Sequence, residues 1–171
     1  MLYIIPTDTC FGIACSIDDN DGYKRIYEVK GRYFNKPLAI MVNNYSLFEN
    51  LLSNQQINFL KNYYRPWTLL LDTNKYELPT IFKKDTSTYV AIRIADNHIE
   101  KELINEIGPI FLTSANLSGE KEIYKISELN NLFGNIIDIK ILAKKDLENV
   151  SPSDIFEFIG DSIEIKYFRK N

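Results

Sequence analysis

Hydrophobic residues recur along this chain with two spacings, one typical of strands and one typical of helices. Short apolar runs or alternating patterns predict strands at residues 2–5, 38–42, 68–71, 90–94, 109–112, 137–141 and 163–167. Apolar residues three or four positions apart predict helices at residues 21–29, 47–52, 57–64, 99–107 and 127–133. Because the two kinds of element alternate without a repeat or a linker, we expect one α/β domain over residues 1–171.

Capping and breaking residues set several of the predicted boundaries. Ser46 and Glu49 have the spacing of a capping box, which predicts that a helix begins there. Pro66 is expected to close the helix that precedes it, because proline cannot continue a helix. The Gly108-Pro109 pair is a strong signal for the end of the helix over 99–107.

The composition fits a globular protein with a proper core and gives no global attraction to nucleic acid. Of 171 residues, 45% are hydrophobic, and 20 basic against 23 acidic residues give a net charge of −3. Cys10 and Cys15 lie too close together for a disulfide framework, so we expect reduced, core-facing thiols. Without a signal peptide or an apolar stretch of membrane length, the chain is expected to be cytoplasmic.

Several common catalytic signatures are absent from the sequence. There is no Gly-x-x-x-x-Gly-Lys-Ser/Thr loop, no Gly-x-Gly-x-x-Gly fingerprint and no cluster of cysteines and histidines. The one histidine, His98, precedes a predicted helix, where a capping or surface role is expected. We therefore expect no direct metal ligands from the protein, and side-chain cations and loop amides would have to hold any phosphate.

The Pro6-Thr7-Asp8-Thr9 segment directly follows the first predicted strand. Its two hydroxyls and one carboxylate suit the ammonium and hydroxyl groups of a small polar ligand. The alternative is a turn in which these side chains only cap the next segment. On these residues alone, the turn is the favoured interpretation.

Three basic residues follow the first predicted helix. Lys30 and Arg32 end that helix, and Lys36 stands just before the strand that begins after Pro37. Cations at a helix C-terminus often do no more than complement the helix dipole. A loop with these cations also suits a triphosphate, because arginine offers paired donors and lysine a point charge. Both interpretations remain open.

Two further sets of polar groups lie on or beside buried strands. The segment 113–119 offers backbone N–H groups with the Ser114 and Asn116 side chains at a strand end, where ligands of α/β sheets commonly bind. Its alternative is a tight loop whose hydroxyls satisfy their own backbone. Arg93 is a charge within an apolar strand, so it either pairs with a carboxylate or anchors an anionic ligand.

Taken in order, these motifs resemble the YrdC-like family, the threonylcarbamoyl-AMP synthases. The resemblance runs from residue 5 to about residue 169. It is carried by Pro6-Thr7-Asp8-Thr9-x-x-Gly12, by Lys30-Gly31-Arg32 with Lys36-Pro37-Leu38, by Val90-x-Ile92-Arg93, and by Thr113-Ser114-Ala115-Asn116-Leu117-Ser118-Gly119. The sequence departs from the family pattern at three places: Asp8 replaces Glu, Tyr33 replaces Pro, and Arg65-Pro66-Trp67-Thr68 replaces Pro-Gly-Pro-x-Thr.

The resemblance implies a fold and an activity. The fold is an open, twisted, mixed α/β sheet with flanking helices and a concave, positively charged cavity. The activity joins L-threonine, bicarbonate or CO2 and ATP into L-threonylcarbamoyladenylate and releases pyrophosphate, with Mg2+ bridging phosphate oxygens. The product would pass to a downstream tRNA-modifying transferase complex, and a weak contact with tRNA is a further implied partner.

The resemblance also implies roles for individual residues. Four residues are expected to act catalytically: Lys30, Arg32, Ser114 and Asn116. L-threonine is expected to be bound by Thr9, Arg93 and Ser153. The nucleotide is expected to be bound by Arg32, Lys36, Ser114, Asn116 and Arg169.

Three rival functions fit parts of the same pattern. A non-catalytic RNA-binding module on this fold would bind tRNA with a steep salt dependence and consume no ATP. A carbamoyl-handling enzyme related to hydrogenase maturation factors would carry additional domains with zinc-finger cysteines. A small-molecule binding domain would bind ATP or threonine without turnover.

Overall fold

Nine strands form the sheet of this protein in the computed structural model, which describes residues 1–84 and 87–171. The strands are β1 (Leu2–Pro6), β2 (Phe11–Ser16), β3 (Ala39–Val42), β4 (Trp67–Asp72), β5 (Tyr89–Ile94), β6 (Ile110–Ser114), β7 (Ile139–Ile141), β8 (Asp154–Phe158) and β9 (Ile165–Arg169). The helices are α1 (Asn20–Lys30), α2 (Asn54–Lys61), α3 (His98–Ile107) and α4 (Ile126–Phe133), with short 3-10 helices at Tyr45–Phe48 and Thr80–Phe82.

The strands lie in the order β7-β1-β2-β6-β3-β5-β4-β8-β9, with free edges at β7 and β9. Parallel pairing joins β1 to β7, β3 to β5 and β4 to β8, and the other neighbouring pairs are antiparallel. The prediction of an open, mixed α/β sheet is therefore confirmed. Within residues 1–84 and 87–171, no helix has both the length and the apolar character that crossing a bilayer requires.

Both faces of the sheet are buried, but they are covered unequally. Ile4 of β1 belongs to a large core that includes Ile26 of α1, whereas the adjacent Ile5 belongs to a smaller core with Leu103 of α3. The smaller core includes Leu112 of β6, which also borders an open cavity. Helix α3 therefore covers only part of its face of the sheet, and the remainder is free to bind a ligand.

The predictions for β5 and α3 are confirmed. Val90 and Ile92 pack in the larger core, while Arg93 lies on the opposite face of the sheet. Helix α3 ends at Ile107, and Gly108 follows with φ +78°, a backbone conformation that favours glycine. His98 begins α3 with its side chain 83% exposed, as expected for a surface histidine. Both cysteines are free and buried, also as expected.

The predicted capping box at Ser46 is wrong. The Asn44 Oδ1 atom accepts the Ser46 amide at 3.0 Å, so Ser46 is itself capped and only a 3-10 turn follows. The capping box of this region is formed by Ser53 and Gln56, which accept each other's backbone amides at the start of α2. Asn44 thus caps a short 3-10 helix at the place where the sequence predicted the start of an α-helix.

Three further boundaries differ from their predictions. Helix α2 ends at Lys61, well ahead of Pro66, and Tyr64 is 74% exposed instead of lying on the buried helix face. Strands β7 and β9 begin after their predicted starts, so Ile137 and Ile163 are exposed. Apolar residues that lie outside these elements continue their hydrophobic patterns, so the predicted elements were too long.

Two strands were not predicted from the sequence. Strand β2 is buried on both faces, so it lacks the alternation of a half-buried strand, and Gly12 and Ala14 give little strand preference. Strand β8 contains Asp154 and Glu157, two carboxylates that are unusual in a buried strand. Two partners of Asp154, Tyr63 and Arg65, come from a distant part of the chain, which a local pattern does not reveal.

A buried carboxylate fixes the start of α3. The Glu100 Oε2 atom accepts the amides of Asp96 (2.6 Å) and Asn97 (3.0 Å), and the Asn97 side-chain amide donates to the Pro6 carbonyl (2.9 Å). Burial raises the pKa of Glu100 to about 7. Among the described residues, the other Glu100 oxygen is buried without a hydrogen-bond partner. This capping box therefore joins the end of β5 to the loop that follows β1.

We predict that Glu100→Gln makes the protein's stability less dependent on pH. The raised pKa means that the folded state favours the protonated acid, so this group's contribution to stability is lost as pH rises through about 7. Glutamine keeps the capping interaction without a charge. Relative to the parent, the variant should gain about 1–3 kcal/mol of unfolding free energy between about pH 5 and about pH 8, measured by urea denaturation. The exposed Glu106→Gln is the control, and a parallel pH profile for Glu100→Gln and the parent would contradict the prediction.

Candidate functional site

The cavity beside α3 has a volume of about 280 Å³. Its floor is a stretch of sheet in which small residues replace the usual large ones, namely Gly12, Ala39, Thr68 and Ala91. At Gly12, an added Cβ would lie 2.5 Å from Leu112 Cδ1 and 3.2 Å from Thr7 Cγ2. The cavity therefore exists because short side chains line its floor.

The Pro6-Thr7-Asp8-Thr9 segment forms a turn along one wall of the cavity. The Thr7 hydroxyl accepts the amides of Thr9 and Cys10, both at 3.2 Å, and donates to the Cys10 carbonyl at 2.7 Å. The Thr7 and Thr9 hydroxyls lie 3.0 Å apart, and both residues line the cavity. The turn interpretation is thus confirmed, and the same turn presents two hydroxyls to the cavity.

Arg93 of β5 borders the cavity and forms an ion pair with Asp8. Its Nη2 atom contacts Asp8 Oδ1, and the guanidinium is largely buried. Burial raises the pKa of Asp8, and Arg93 opposes that rise. The Arg93 Nε atom is buried without a hydrogen-bond partner among the described residues. Arg93 therefore pairs with a carboxylate, which is the first of the two alternatives drawn from the sequence, and it also lines the cavity.

Lys30 lies behind the cavity, beneath the turn that follows β6. Only 2% of its surface is exposed, and its ammonium donates to the Ser114 carbonyl, to the Asn116 carbonyl (2.5 Å) and to Asn116 Oδ1 (3.1 Å). Burial, together with the charge of Arg32, lowers the pKa of Lys30 to about 8. All three ammonium donors are engaged, so Lys30 ties the end of α1 to this turn.

Ser114 and Asn116 complete that turn. The Ser114 hydroxyl donates to Asn116 Oδ1 at 2.6 Å, and the Asn116 amide donates to the Glu120 carbonyl at 2.6 Å. The Ser118 amide in turn donates to the Lys30 carbonyl at 2.8 Å. Ser114 borders the cavity, whereas the buried Asn116 supports it from behind.

Arg32 reaches the cavity from the loop after α1. Gly31 ends the helix in the left-handed conformation (φ 57°), and the Arg32 guanidinium donates to the carbonyls of Lys36 (3.1 Å) and Pro37 (3.2 Å). Burial lowers the pKa of Arg32. The Lys36 side chain is exposed and is not among the residues that border the cavity. The structure thus brings Arg32 to the site and leaves Lys36 outside it.

Ser153 and Arg169 form the opposite wall. The Ser153 hydroxyl lies 2.9 Å from the Thr68 hydroxyl, and both residues are buried and border the cavity. The Arg169 guanidinium donates to the Ser153 carbonyl through Nε (3.0 Å) and Nη2 (2.8 Å). Burial, and next the charge of Arg93, lowers the pKa of Arg169. Residues far apart in the sequence therefore share this wall.

A family model named for Sua5, YciO and YrdC and described as telomere recombination matches residues 1–170. This chain belongs to the Sua5/YciO/YrdC family. A protein of Methanocaldococcus jannaschii with the provisional name threonylcarbamoyl-AMP synthase is 32% identical, over 95% of this chain and 76% of that protein. The threonylcarbamoyl-AMP synthase of Photobacterium profundum is 26% identical, over 92% of this chain and 88% of that enzyme.

Solved structures of the family share the fold. The crystal structure of P. abyssi Sua5 complexed with L-threonine is 25% identical, with a TM-score of 0.76. The match covers 98% of this chain and 49% of that one, so this chain spans about half of Sua5. The crystal structure of E. coli YciO, at 19% identity and a TM-score of 0.76, covers 99% of this chain and 82% of that one.

Several residues that line the cavity were not foreseen from the family motifs. Ile123 is buried, and the Phe11 amide donates to its carbonyl at 3.3 Å, so its neighbours Glu122 and Tyr124 border the cavity. No local pattern in the sequence marks these two residues. Thr68 did carry a signal, because it is the one polar residue of the strand predicted at 68–71.

We predict that Asp8→Asn destabilises the fold. Neutralising Asp8 relieves the cost of burying its carboxylate, the effect that raises its pKa. Asparagine also leaves the largely buried Arg93 charge without its counter-ion, and that loss outweighs the relief because removing one partner of a buried pair is strongly destabilising. The unfolding free energy should fall by about 1–3 kcal/mol, a value reduced from that of fully buried pairs because Asp8 is partly exposed. Chemical denaturation measures the change, with the exposed Asp18→Asn as the control. Equal stability of Asp8→Asn and the parent would show that the ion pair adds nothing.

Proposed function

We propose that this chain is an L-threonylcarbamoyladenylate synthase. It would join L-threonine, bicarbonate or CO2 and ATP and release pyrophosphate. Relatives with the matching name support the proposal at modest identity over most of the chain. The observation that carries it is one cavity in which three guanidinium groups meet the Ser114 hydroxyl: Arg32, Arg93 and Arg169.

The chemistry of the proposed reaction explains why such a cavity is needed. The amine of threonine attacks CO2 or bicarbonate to give a carbamate, and a carbamate oxygen then attacks the α-phosphorus of ATP. Carbamate and triphosphate are both anions, so fixed cations must bring them together and stabilise the charge that spreads in the transition state. Arg32 and Arg169 suit the phosphates, because guanidinium groups bind phosphate oxygens through paired donors.

The amino acid suits Arg93 and the hydroxyl groups that border the cavity. Arg93 would bind the carboxylate of L-threonine, while Thr9 and Ser153 present hydroxyls to its polar groups. The Arg93–Asp8 pair offers charges of both signs to a zwitterion. In this assignment Arg93 releases part of its contact with Asp8 when the substrate carboxylate binds.

Lys30 and Asn116 take supporting roles in the ligand-free arrangement. Since all three Lys30 donors already bind the turn, a phosphate contact requires that one of these bonds be exchanged. Asn116 and Lys30 thereby set the position of Ser114, whose hydroxyl borders the cavity. Lys36 would reach a nucleotide only from the rim, by a rotation of its exposed side chain.

No side chain is required to form a covalent intermediate. Cys10 borders the cavity, but burial raises the pKa of its thiol, so it stays protonated near neutral pH. His98 is on the exposed side of α3 and pairs with Glu102 at 3.0 Å. The proposed reaction is direct attack by one bound substrate on another, which positioning and charge are able to catalyse.

The residues of the cavity also fit a magnesium ion carried by ATP. Mg2+ in proteins commonly binds substrate phosphates together with one or two carboxylates and retains several waters. Glu122 is the carboxylate that borders the cavity within the described residues, so it would be the side chain available to hold such an ion or its waters. The ion would neutralise phosphate charge, and Arg32 would orient the same phosphates.

The product would pass to a downstream tRNA-modifying transferase complex in the cytoplasm. A mixed anhydride of carbamate and phosphate hydrolyses readily, so transfer to a partner enzyme is expected to be prompt. A weak contact with tRNA is compatible with the basic cavity, although the net charge of −3 disfavours extended binding.

The direct test is incubation with ATP, bicarbonate and L-threonine, followed by measurement of pyrophosphate and of the adenylate. We expect both products, and we expect both to disappear when threonine is omitted. Pyrophosphate release that is independent of the amino acid would indicate a different nucleotidyl chemistry. Salt-sensitive tRNA binding without any threonine-dependent ATP consumption would favour the RNA-binding alternative.

We predict that Arg32→Ala lowers the rate of L-threonylcarbamoyladenylate formation by about 10²–10³-fold. The variant removes a guanidinium that borders the cavity but leaves the buried core intact, so its melting temperature should stay close to that of the parent. Arg25→Ala is the matched control, because Arg25 pairs with Asp138 on the surface, away from the cavity. A parental rate in Arg32→Ala would refute the assignment.

A further inference from the structure

Asp154, the neighbour of Ser153, is a fully buried carboxylate with several partners. It is 0% exposed; the Tyr63 hydroxyl donates to Oδ2 at 2.8 Å, and the Asn171 amide donates to Oδ1 at 2.8 Å. The Arg65 Nε atom lies 3.6 Å from Oδ1, which is an ion pair beyond hydrogen-bond distance. Burying a carboxylate is unfavourable unless it is paired, so these contacts must persist for β8 to remain in the sheet.

The partners of Asp154 fix the segment that follows β9. The Asn171 side-chain amide donates to the carbonyls of Pro152 and Ser153, both at 3.1 Å. Arg65 donates to the Asn171 carbonyl through Nη1 and to the Pro152 carbonyl through Nη2 at 3.3 Å. The chain on both sides of Ser153 is thereby connected to residues 169–171.

Such anchoring is needed because β9 is an edge strand. Its pairing with β8 is irregular between Ile155 and Phe156, close to the point where Arg169 pairs with Ile155. Edge strands with exposed side chains are regions of low local stability. Arg169 would not hold a fixed place in the cavity if the strand end that carries it were free.

We propose that Asp154 and Arg65 are positioning residues that hold Arg169 and Ser153 in the cavity by anchoring residues 169–171. This inference rests on the proposed function for the meaning of the cavity. Arg65 belongs to the segment 65–68, where the sequence departs from the family pattern.

The anchoring can be tested without any substrate. Trp67 is the single tryptophan of the chain, and it lies opposite Asp154 in the β4–β8 register. We expect the fluorescence of Trp67 to shift in Asp154→Asn and in Arg65→Met. Glu157→Gln is the matched control, because Glu157 is a buried carboxylate of the same strand that pairs with Lys166 of β9 at 3.4 Å.

The positioning role is tested by ATP binding and by kinetics. We expect Asp154→Asn and Arg65→Met to raise the Kd and the KM for ATP about tenfold, with kcat reduced by less than about threefold. In the Arg169→Ala background, neither change should weaken ATP binding further, because both act through Arg169. A purely structural role for Asp154 predicts additive losses and a similar loss in Glu157→Gln, and either result would overturn the proposal.

Two outcomes separate this inference from the proposed function. If the parent shows no threonine-dependent pyrophosphate release, the synthase assignment fails, while ATP titration calorimetry still decides whether the anchoring positions Arg169. If Asp154→Asn fails to fold, Arg65→Met removes the bonds to the carbonyls of Asn171 and Pro152 and leaves Asp154 with its Tyr63 and Asn171 partners. Unchanged ATP affinity in Arg65→Met would then overturn the proposal.

Discussion

The convergence of three guanidinium groups on one cavity is the constraint around which this site is organised. Arg32, Arg93 and Arg169 border one cavity, and arginine does not lose its proton to relieve their repulsion. Backbone carbonyls compensate two of the charges, those of Arg32 and Arg169, and the Asp8 carboxylate compensates the third. Carbonyl dipoles neutralise less than a full charge, so the positive groups outnumber the negative ones even when the Glu122 carboxylate is counted, and this excess suits an anionic ligand.

The mixed sheet is what makes this arrangement possible. The larger core lies on one face of the sheet, so most of the buried hydrophobic residues are on the side away from the cavity. On the other face, α3 packs through Leu103 against the smaller core and does not extend over the cavity. The small side chains of Gly12 and Ala91 leave space there for a ligand. The Glu100 capping box connects α3 to the loop that carries Asp8, so the covered half of the face sets the geometry of the open half.

The sequence predicted the parts of the site that depend on local chemistry and missed those that depend on distant contacts. Arg93 stood out as a charge in an apolar strand, and the turn at Thr7 followed from its hydroxyls. The burial of Lys30 was not predictable, since its partners lie after β6 and its position at a helix end is equally typical of a surface cation. Strand β8 was missed for the same reason: the groups that stabilise Asp154 are far away in the chain.

The different ways in which the arginines are compensated bear on what each could bind. Arg32 and Arg169 donate to carbonyls, and a phosphate with a full charge competes well against a dipole. Arg93 already contacts the Asp8 carboxylate, so a second carboxylate gains less by replacing it, unless the ligand also brings a positive group to Asp8. A zwitterionic amino acid meets that condition and a simple carboxylic acid does not. The ion pair at Arg93 thus suits the proposed amino acid, while the carbonyl-bound arginines suit the proposed phosphates.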